Sequence, residues 1–124
     1  MFITDLRTHL VSKSNIEKVV KDRIFPNYLP QDEIKPAIVY SDTGSTRNIS
    51  YQNQGTKIYR IQFNVIDVEY KRAKELAQSI IEIFHCCSGL LGANQILLGR
   101  LVNEKDLFEN KLHEIAIEFE FEVV

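Results

Sequence analysis

From Glu114 to Val123 two classes of residue alternate without a break. Ile115, Ile117, Phe119, Phe121 and Val123 hold one register, and Glu114, Ala116, Glu118, Glu120 and Glu122 hold the other. Successive side chains of a β-strand point to opposite faces, whereas a helix would scatter this pattern around its circumference. The stretch is therefore a strand with one apolar face and one face bearing a row of carboxylates. Such a strand cannot be stable alone, because its apolar side needs neighbouring strands and a covering layer. On the polar side, alternate side chains stand about 7 Å apart. As an acid and base for sugar chemistry, Glu118, Glu120 and Glu122 are poorly arranged, since such a pair converges on a substrate from different elements. A solvated strand face is the plainer reading.

The covering layer is supplied by a strand-and-helix unit, Lys57 to Cys87. Between Ile58 and Val68, Tyr59, Ile61, Phe63 and Val65 alternate with Arg60, Gln62 and Asn64, again the period of a half-buried strand. Ala73, Leu76, Ala77, Ile80 and Phe84 then fall at helical spacings of three and four, with Lys71, Arg72, Lys74, Glu75, Gln78 and Glu82 between them. The helix should lie on the apolar faces of both strands. Ile61, Phe63, Val65, Leu76, Ile80, Phe84, Ile117, Phe119 and Phe121 are the expected common core.

Elsewhere the pattern is weaker. Ile3, Leu6, Leu10 and Val11 predict a short helix ending near Ser12, with Thr4 and Asp5 at its start, and Ser14 to Glu17 reads as a capping box opening a second helical piece. Arg23 to Pro30 contains two prolines, which lack a backbone donor and disfavour helix before them, so it reads as an extended crossing. Pro36 opens an apolar run, Ala37 to Tyr40, read as a strand. Ser41 to Thr56 is rich in Ser, Thr, Asn, Gln and Gly and reads as a long polar loop, functional or disordered, or as a long hairpin excursion, with Arg47, Ile49 and Tyr51 as its candidate contact residues. Gly89 is the expected left-handed residue after the helix. Gln95 to Val102 is a further expected strand, followed by a polar connection through Asn110. The order is helix, strand, strand, helix, strand, strand. This predicts one α+β domain over residues 1–124, an antiparallel four-stranded sheet with helices packed on one face.

No stretch spells a catalytic or cofactor motif. Cys86 and Cys87 are adjacent, too close for relaxed disulfide geometry, and His85 beside them lacks the second, spaced ligand pair of a structural zinc site. They read as reduced thiols. The scattered histidines His9, His85 and His113 form no set in sequence, and the glycines spell no phosphate loop. Asn48-Ile49-Ser50 matches a glycosylation sequon by chance, because the first residues lack the unbroken apolar run of an export signal. No stretch approaches the roughly 20 apolar residues of a membrane span. The formal charge of −2 gives no electrostatic case for a nucleic-acid binder. A soluble protein made in a cytoplasm is expected.

A set of landmarks along the chain resembles the tail-completion, or tail-terminator, proteins of long-tailed bacteriophages and related prophages. They are the helix from Leu6 to Leu10, Arg23-Ile24-Phe25-Pro26 leading to Leu29-Pro30-Gln31, and Pro36-Ala37-Ile38-Val39-Tyr40. A polar loop, Tyr59-Arg60-Ile61-Gln62-Phe63-Asn64-Val65, a helix with Ala73, Leu76 and Ala77, and the closing alternating strand follow in order. The resemblance implies a non-enzymatic virion protein without cofactor or metal, assembled in the bacterial host cytoplasm. It implies a hexameric ring at the head-proximal end of the tail, in contact with the tail tube protein and a head-closure protein, with DNA only as passing cargo. In such a ring Glu118, Glu120 and Glu122 would face either the channel or solvent. Two other readings stay open: another neck component such as a head-closure or adaptor protein, and a ferredoxin-like cytosolic ligand-binding domain or enzyme.

Overall fold

The structure, a computed structural model, describes residues 1–31, 33–48 and 56–124, with side chains for all of these but 47 and 48. Among them are three helices: α1 (Phe2–Val11), α2 (Ser14–Val20) and α3 (Tyr70–Phe84). Six strands accompany them: β1 (Ile24–Pro26), β2 (Ala37–Asn48), β3 (Thr56–Asp67), β4 (Gly89–Leu91), β5 (Asn94–Glu109) and β6 (Leu112–Val123). All six strands form one sheet in the order β1-β2-β3-β6-β5-β4. β1 runs parallel to β2, and the other neighbouring pairs are antiparallel.

This corrects the expected antiparallel four-stranded sheet to a six-stranded mixed one. The two additional strands are three residues each, too short to display a period. β1 lies within the proline-bearing crossing, and β4 lies in the glycine-containing stretch that ends the helical unit. The other strands are also longer than expected. β2 continues to Asn48, with a bulge between Asp42 and Gly44, so the first half of the polar stretch Ser41 to Thr56 is a hairpin arm paired with β3. Ile49 and Tyr51 lie outside the described residues. β5 runs to Glu109 and turns at Asn110 and Lys111, both at positive φ, directly into β6. The expected polar connection from Asn103 to Asn110 is therefore strand.

The core sits between the helices and one face of the sheet. Ile61 and Phe63 on β3 lie opposite Phe119 and Ile117 on β6, and α3 buries Ala73, Leu76, Ala77, Ile80 and Phe84 over them. All nine residues of the expected common core are buried, each at 3% exposure or less. Phe84 is the centre: its ring lies 5.6 Å from Phe63 in a stacked arrangement and 5.8 and 5.5 Å from Phe119 and Phe121 edge-on. Each fully buried side chain of this size contributes about 1.5–3 kcal/mol of transfer energy, with about 0.5–1.5 kcal/mol more for a favourable ring pair. α1 adds Phe2, Leu6 and Leu10, and α2 adds Ile16 and Val20.

Local signals at the helix ends differ from the sequence reading. α1 begins at Phe2, ahead of Thr4 and Asp5, and α2 has Lys13 at its N-cap, so Ser14 is the first helical residue and no capping box forms. After α3 the left-handed residue is Cys86, at φ 62°, three positions before Gly89. The start of α3 is held by Asp67, the buried polar side chain among the described residues. Its Oδ1 accepts the backbone N–H of Val68 at 2.7 Å, and Arg72 reaches back to both carboxylate oxygens.

Candidate functional site

The face of the sheet turned away from the helices gathers the carboxylates of β6 between polar side chains of β3 and β5. Glu120 lies opposite Arg60 on β3 and Arg100 on β5. Arg60 Nη2 stands 3.0 Å from one carboxylate oxygen and Arg100 Nη2 2.9 Å from the other. The Glu120 side chain is only 14% exposed while both arginines are 55% exposed, so the two guanidinium groups roof the carboxylate. Arg60, Glu120 and Arg100 thus form a bridge across three strands. Exposed ion pairs contribute about 0–1 kcal/mol each, so the bridge orders the face more than it stabilises the fold.

Glu118 accepts a hydrogen bond from Thr43 Oγ1 at 2.8 Å, donated by the bulged residue of β2, whose hydroxyl also reaches the Arg60 carbonyl. Glu122 is 3.5 Å from Thr56 Oγ1 and borders a shallow open depression lined by Ile58, Leu98, Arg100, Glu120 and Glu122. Further down the strand, Asn64 Nδ2 donates to Glu114 at 2.6 Å. The row read from the sequence is therefore one continuous, half-buried polar surface. It has four carboxylates on β6 against Arg60, Arg100 and, opposite Ala116, Lys105.

The remaining candidates do not join it. Arg47 sits near the tip of the β2–β3 hairpin, where its backbone pairs with Lys57. His85 Nδ1 accepts the backbone N–H of Leu101 at 3.0 Å, which commits that ring nitrogen to the edge of β5. Cys86 is exposed, and Cys87 is half-buried with its thiol pushed up by burial. His9 packs 5.9 Å from the Phe84 ring, where burial and nearby Lys13 hold its imidazole below the usual value. His113 lies 5.2 Å from Tyr70 and 4.6 Å from Phe108, at the far end of the β5–β6 hairpin. None of the described helices is long and apolar enough to cross a membrane.

Two features of this surface escaped the sequence. Arg60 was visible as a polar alternate of its strand, but its partner depends on β3 being next to β6, which no local pattern encodes. Arg100 follows Gly99 in a stretch whose outward register is set by bulges at Ile96/Leu98 and Leu101/Asn103.

The fold is shared. It superposes on a chain of a solved structure described as the virion of a native gene transfer agent (GTA) particle, with a TM-score of 0.73 over 95% of this chain and 90% of that chain. Sequence identity is 12%, so the likeness is one of fold. No protein-family model matches the sequence, and no curated protein matches it.

Proposed function

We propose that this chain is a structural subunit of a phage-like virion and that it caps the head-proximal end of the tail tube as a ring. One observation carries the reading: nearly the whole chain shares its fold with a chain of a gene transfer agent virion. The landmarks from Leu6 through the closing strand, which resemble tail-terminator proteins, supply the finer assignment. In this reading the ring is hexameric, ends tube polymerisation and offers the joining surface for the head. Its partners are copies of itself, the tail tube protein and a head-closure protein, and its work is assembly without catalysis or cofactor.

The polar face fits a channel lining. A wall of carboxylates repels DNA phosphates, and Glu120, set against one guanidinium nitrogen of each arginine, offsets part of their positive charge. Glu118, Glu120 and Glu122 are accordingly assigned to the lumen, with the helices outward. Ile49 and Tyr51, between the arms of the β2–β3 hairpin, are assigned together with Arg47 to contacts with the neighbouring ring component, because large side chains in a polar stretch are the groups able to fill a partner's pocket.

The test is direct. Purified protein is added to tail tubes assembled without it, and tube ends are imaged by negative stain. A ring at one end, with tubes that no longer elongate, is the expected result. Association with portal complexes and no effect on tubes would overturn the assignment in favour of a head-closure role.

A further inference from the structure

The sheet has two bare edges that match each other. β5 is covered on its outer side at its start by β4, which pairs with Asn94 to Ile96. Cys86 and Cys87 continue that cover: Cys86 N–H donates to the Gly99 carbonyl at 2.7 Å, and Gly99 N–H donates to the Cys87 carbonyl at 2.9 Å. Past Leu101 the cover ends. From Val102 to Glu109 every residue is exposed, and among the described residues no strand lies on that side. β2 shows the reverse arrangement. β1 covers Ile38 to Tyr40, and from Ser41 to Asn48 the outer side has no strand among the described residues.

We infer that these two edges pair with each other between copies of this chain, β5 of one subunit against β2 of the next, to continue the sheet around the ring. The inference rests on the ring reading above. Unpaired backbone donors and acceptors along an edge are a template for a further strand, and main-chain hydrogen bonds then supply the affinity. Three properties of the edges select a second copy as the occupant.

The first is length. Eight residues are bare on each edge, and each bare stretch is stopped at one end by a covering element, so the two fit as a step into a notch. The second is direction. β2 and β6 run one way and β3 and β5 the other, so β5 beside the next copy's β2 makes the favoured antiparallel pair. The third is stagger. Asp106 is level with Ile115, Val65 and Ile38 across one sheet, while the bare part of β2 is centred near Gly44 and Ser45. Matching the edges displaces successive copies by six or seven residues, about 20–24 Å at ~3.4 Å per residue. Over four strands spaced about 4.8 Å apart this tilts the strands by roughly 45–50°, at or just beyond the upper end of the range in closed barrels.

The side chains agree with an interface. Val102, Leu107 and Phe108 are 38%, 39% and 64% exposed on one edge, and on the other Ser41, Thr43, Gly44, Ser45 and Thr46 are small and leave room for them, with Asp42 the charged residue among them and Arg47 and Asn48 following. A two-fold pairing of β5 with itself would leave the bare edge of β2 unused. It would also make pairs and stop, where the head-to-tail contact closes a ring.

Disulfide mapping decides between these arrangements. In a Cys86→Ser background, Thr46→Cys is mixed with Asn103→Cys or Lys105→Cys, whose side chains share the polar face, and the mixture is oxidised mildly. A disulfide between the two different variants, absent from either alone, is expected for one of the two mixtures. Thr46→Lys and Leu107→Lys should each weaken self-association by at least about tenfold while the unfolding midpoint of the subunit stays put. Disulfides formed by Asn103→Cys or Lys105→Cys alone, rings indifferent to both lysines, or a protein monomeric at every concentration would each overturn the pairing. Tube capping is scored separately. Rings that cap tubes without these disulfides leave the tail-end reading standing, and disulfide-linked rings that fail to cap leave only the pairing.

Discussion

Arg72 grips the wholly buried carboxylate of Asp67 through two guanidinium nitrogens, tying the first turns of α3 to the end of β3. Burial alone would push the Asp67 carboxyl up. The hydrogen bonds from Arg72, Glu69 and Val68 and the Arg72 charge outweigh it, so the group ionises below its ordinary value. A carboxylate held down in the folded state stabilises above the unfolded value, about 3.9 for Asp, and that contribution fades as pH falls through the lower folded value. Asp67→Asn should therefore cost about 1–3 kcal/mol at neutral pH. Its unfolding curve should converge on that of the parent in strong acid. A gap that stays constant from neutral pH to strong acid would show that the charge is not what Asp67 contributes.

Phe119 touches Phe63, Phe84 and Phe121 in the middle of the core. Phe119→Ala should cost roughly 3–5 kcal/mol, from lost transfer energy and a cavity that its strand-bound neighbours cannot collapse into. Chemical denaturation with an unchanged slope measures it. A loss under about 1 kcal/mol would place the residue outside the core.

Gly99 sits where the outer cover of β5 crosses the core. A Cβ there would lie 2.6 Å from Cys87 Sγ, 2.8 Å from the Phe84 carbonyl oxygen and 2.9 Å from the Phe121 ring. The sulfur can move but the carbonyl cannot, because it belongs to the last residue of α3. Gly99→Ala should destabilise by about 1–3 kcal/mol, the cost of overpacking. Adding Cys87→Ala should recover only part of it. Full recovery would show that the thiol alone sets the spacing.

How much of this was readable beforehand divides along one physical line. β3, β6 and α3 each have one dry and one wet face, and their periods name the core residues correctly. The outer half of β2 is exposed from Asp42 to Thr46, and that of β5 meets α3 only through polar side chains, Tyr70 and Lys74 against Glu104 and Asp106, so no apolar face is buried and no alternation is written into them. Ser41 to Asn48 and Asn103 to Glu109 therefore look like loop. β1 and β4 are too short for any period. Glu118, Glu120 and Glu122 could be placed on one surface from spacing alone, whereas their contacts to Thr43, Arg60 and Arg100 depend on strand order, which only the whole fold determines.

Replacing Glu118, Glu120 and Glu122 together by Gln should leave the fold intact, because surface ion pairs of this kind contribute about 0–1 kcal/mol. It also removes the carboxylate that offsets the charge of Arg60 and Arg100. If the face lines the channel, particles carrying the variant should deliver DNA more slowly. The defect should shrink as salt rises, since fixed charges are screened beyond about 8–10 Å at physiological ionic strength. Delivery unchanged at both low and high salt would return these residues to a solvated outer face.

The hairpin tip offers the last test, and the strand pairing fixes where it must be made. Excising the whole span between Thr43 and Gly55 would remove paired residues, since Gly44 to Asn48 lie opposite Arg60 to Thr56. The segment to replace is residues 49–55 alone. Asn48 and Thr56 already face each other across the sheet, so Asn-Gly between them supplies the tight turn that two antiparallel strands favour. Loop-closure entropy changes only slowly with length, so stability should shift by no more than about 1 kcal/mol. The pairing of β5 with the next copy's β2 does not use these residues and should survive, with rings still forming. Capping of tail tubes should be lost, because Ile49 and Tyr51 are gone. A shortened protein that still caps tubes and yields tails able to join heads would refute the contact role of this tip.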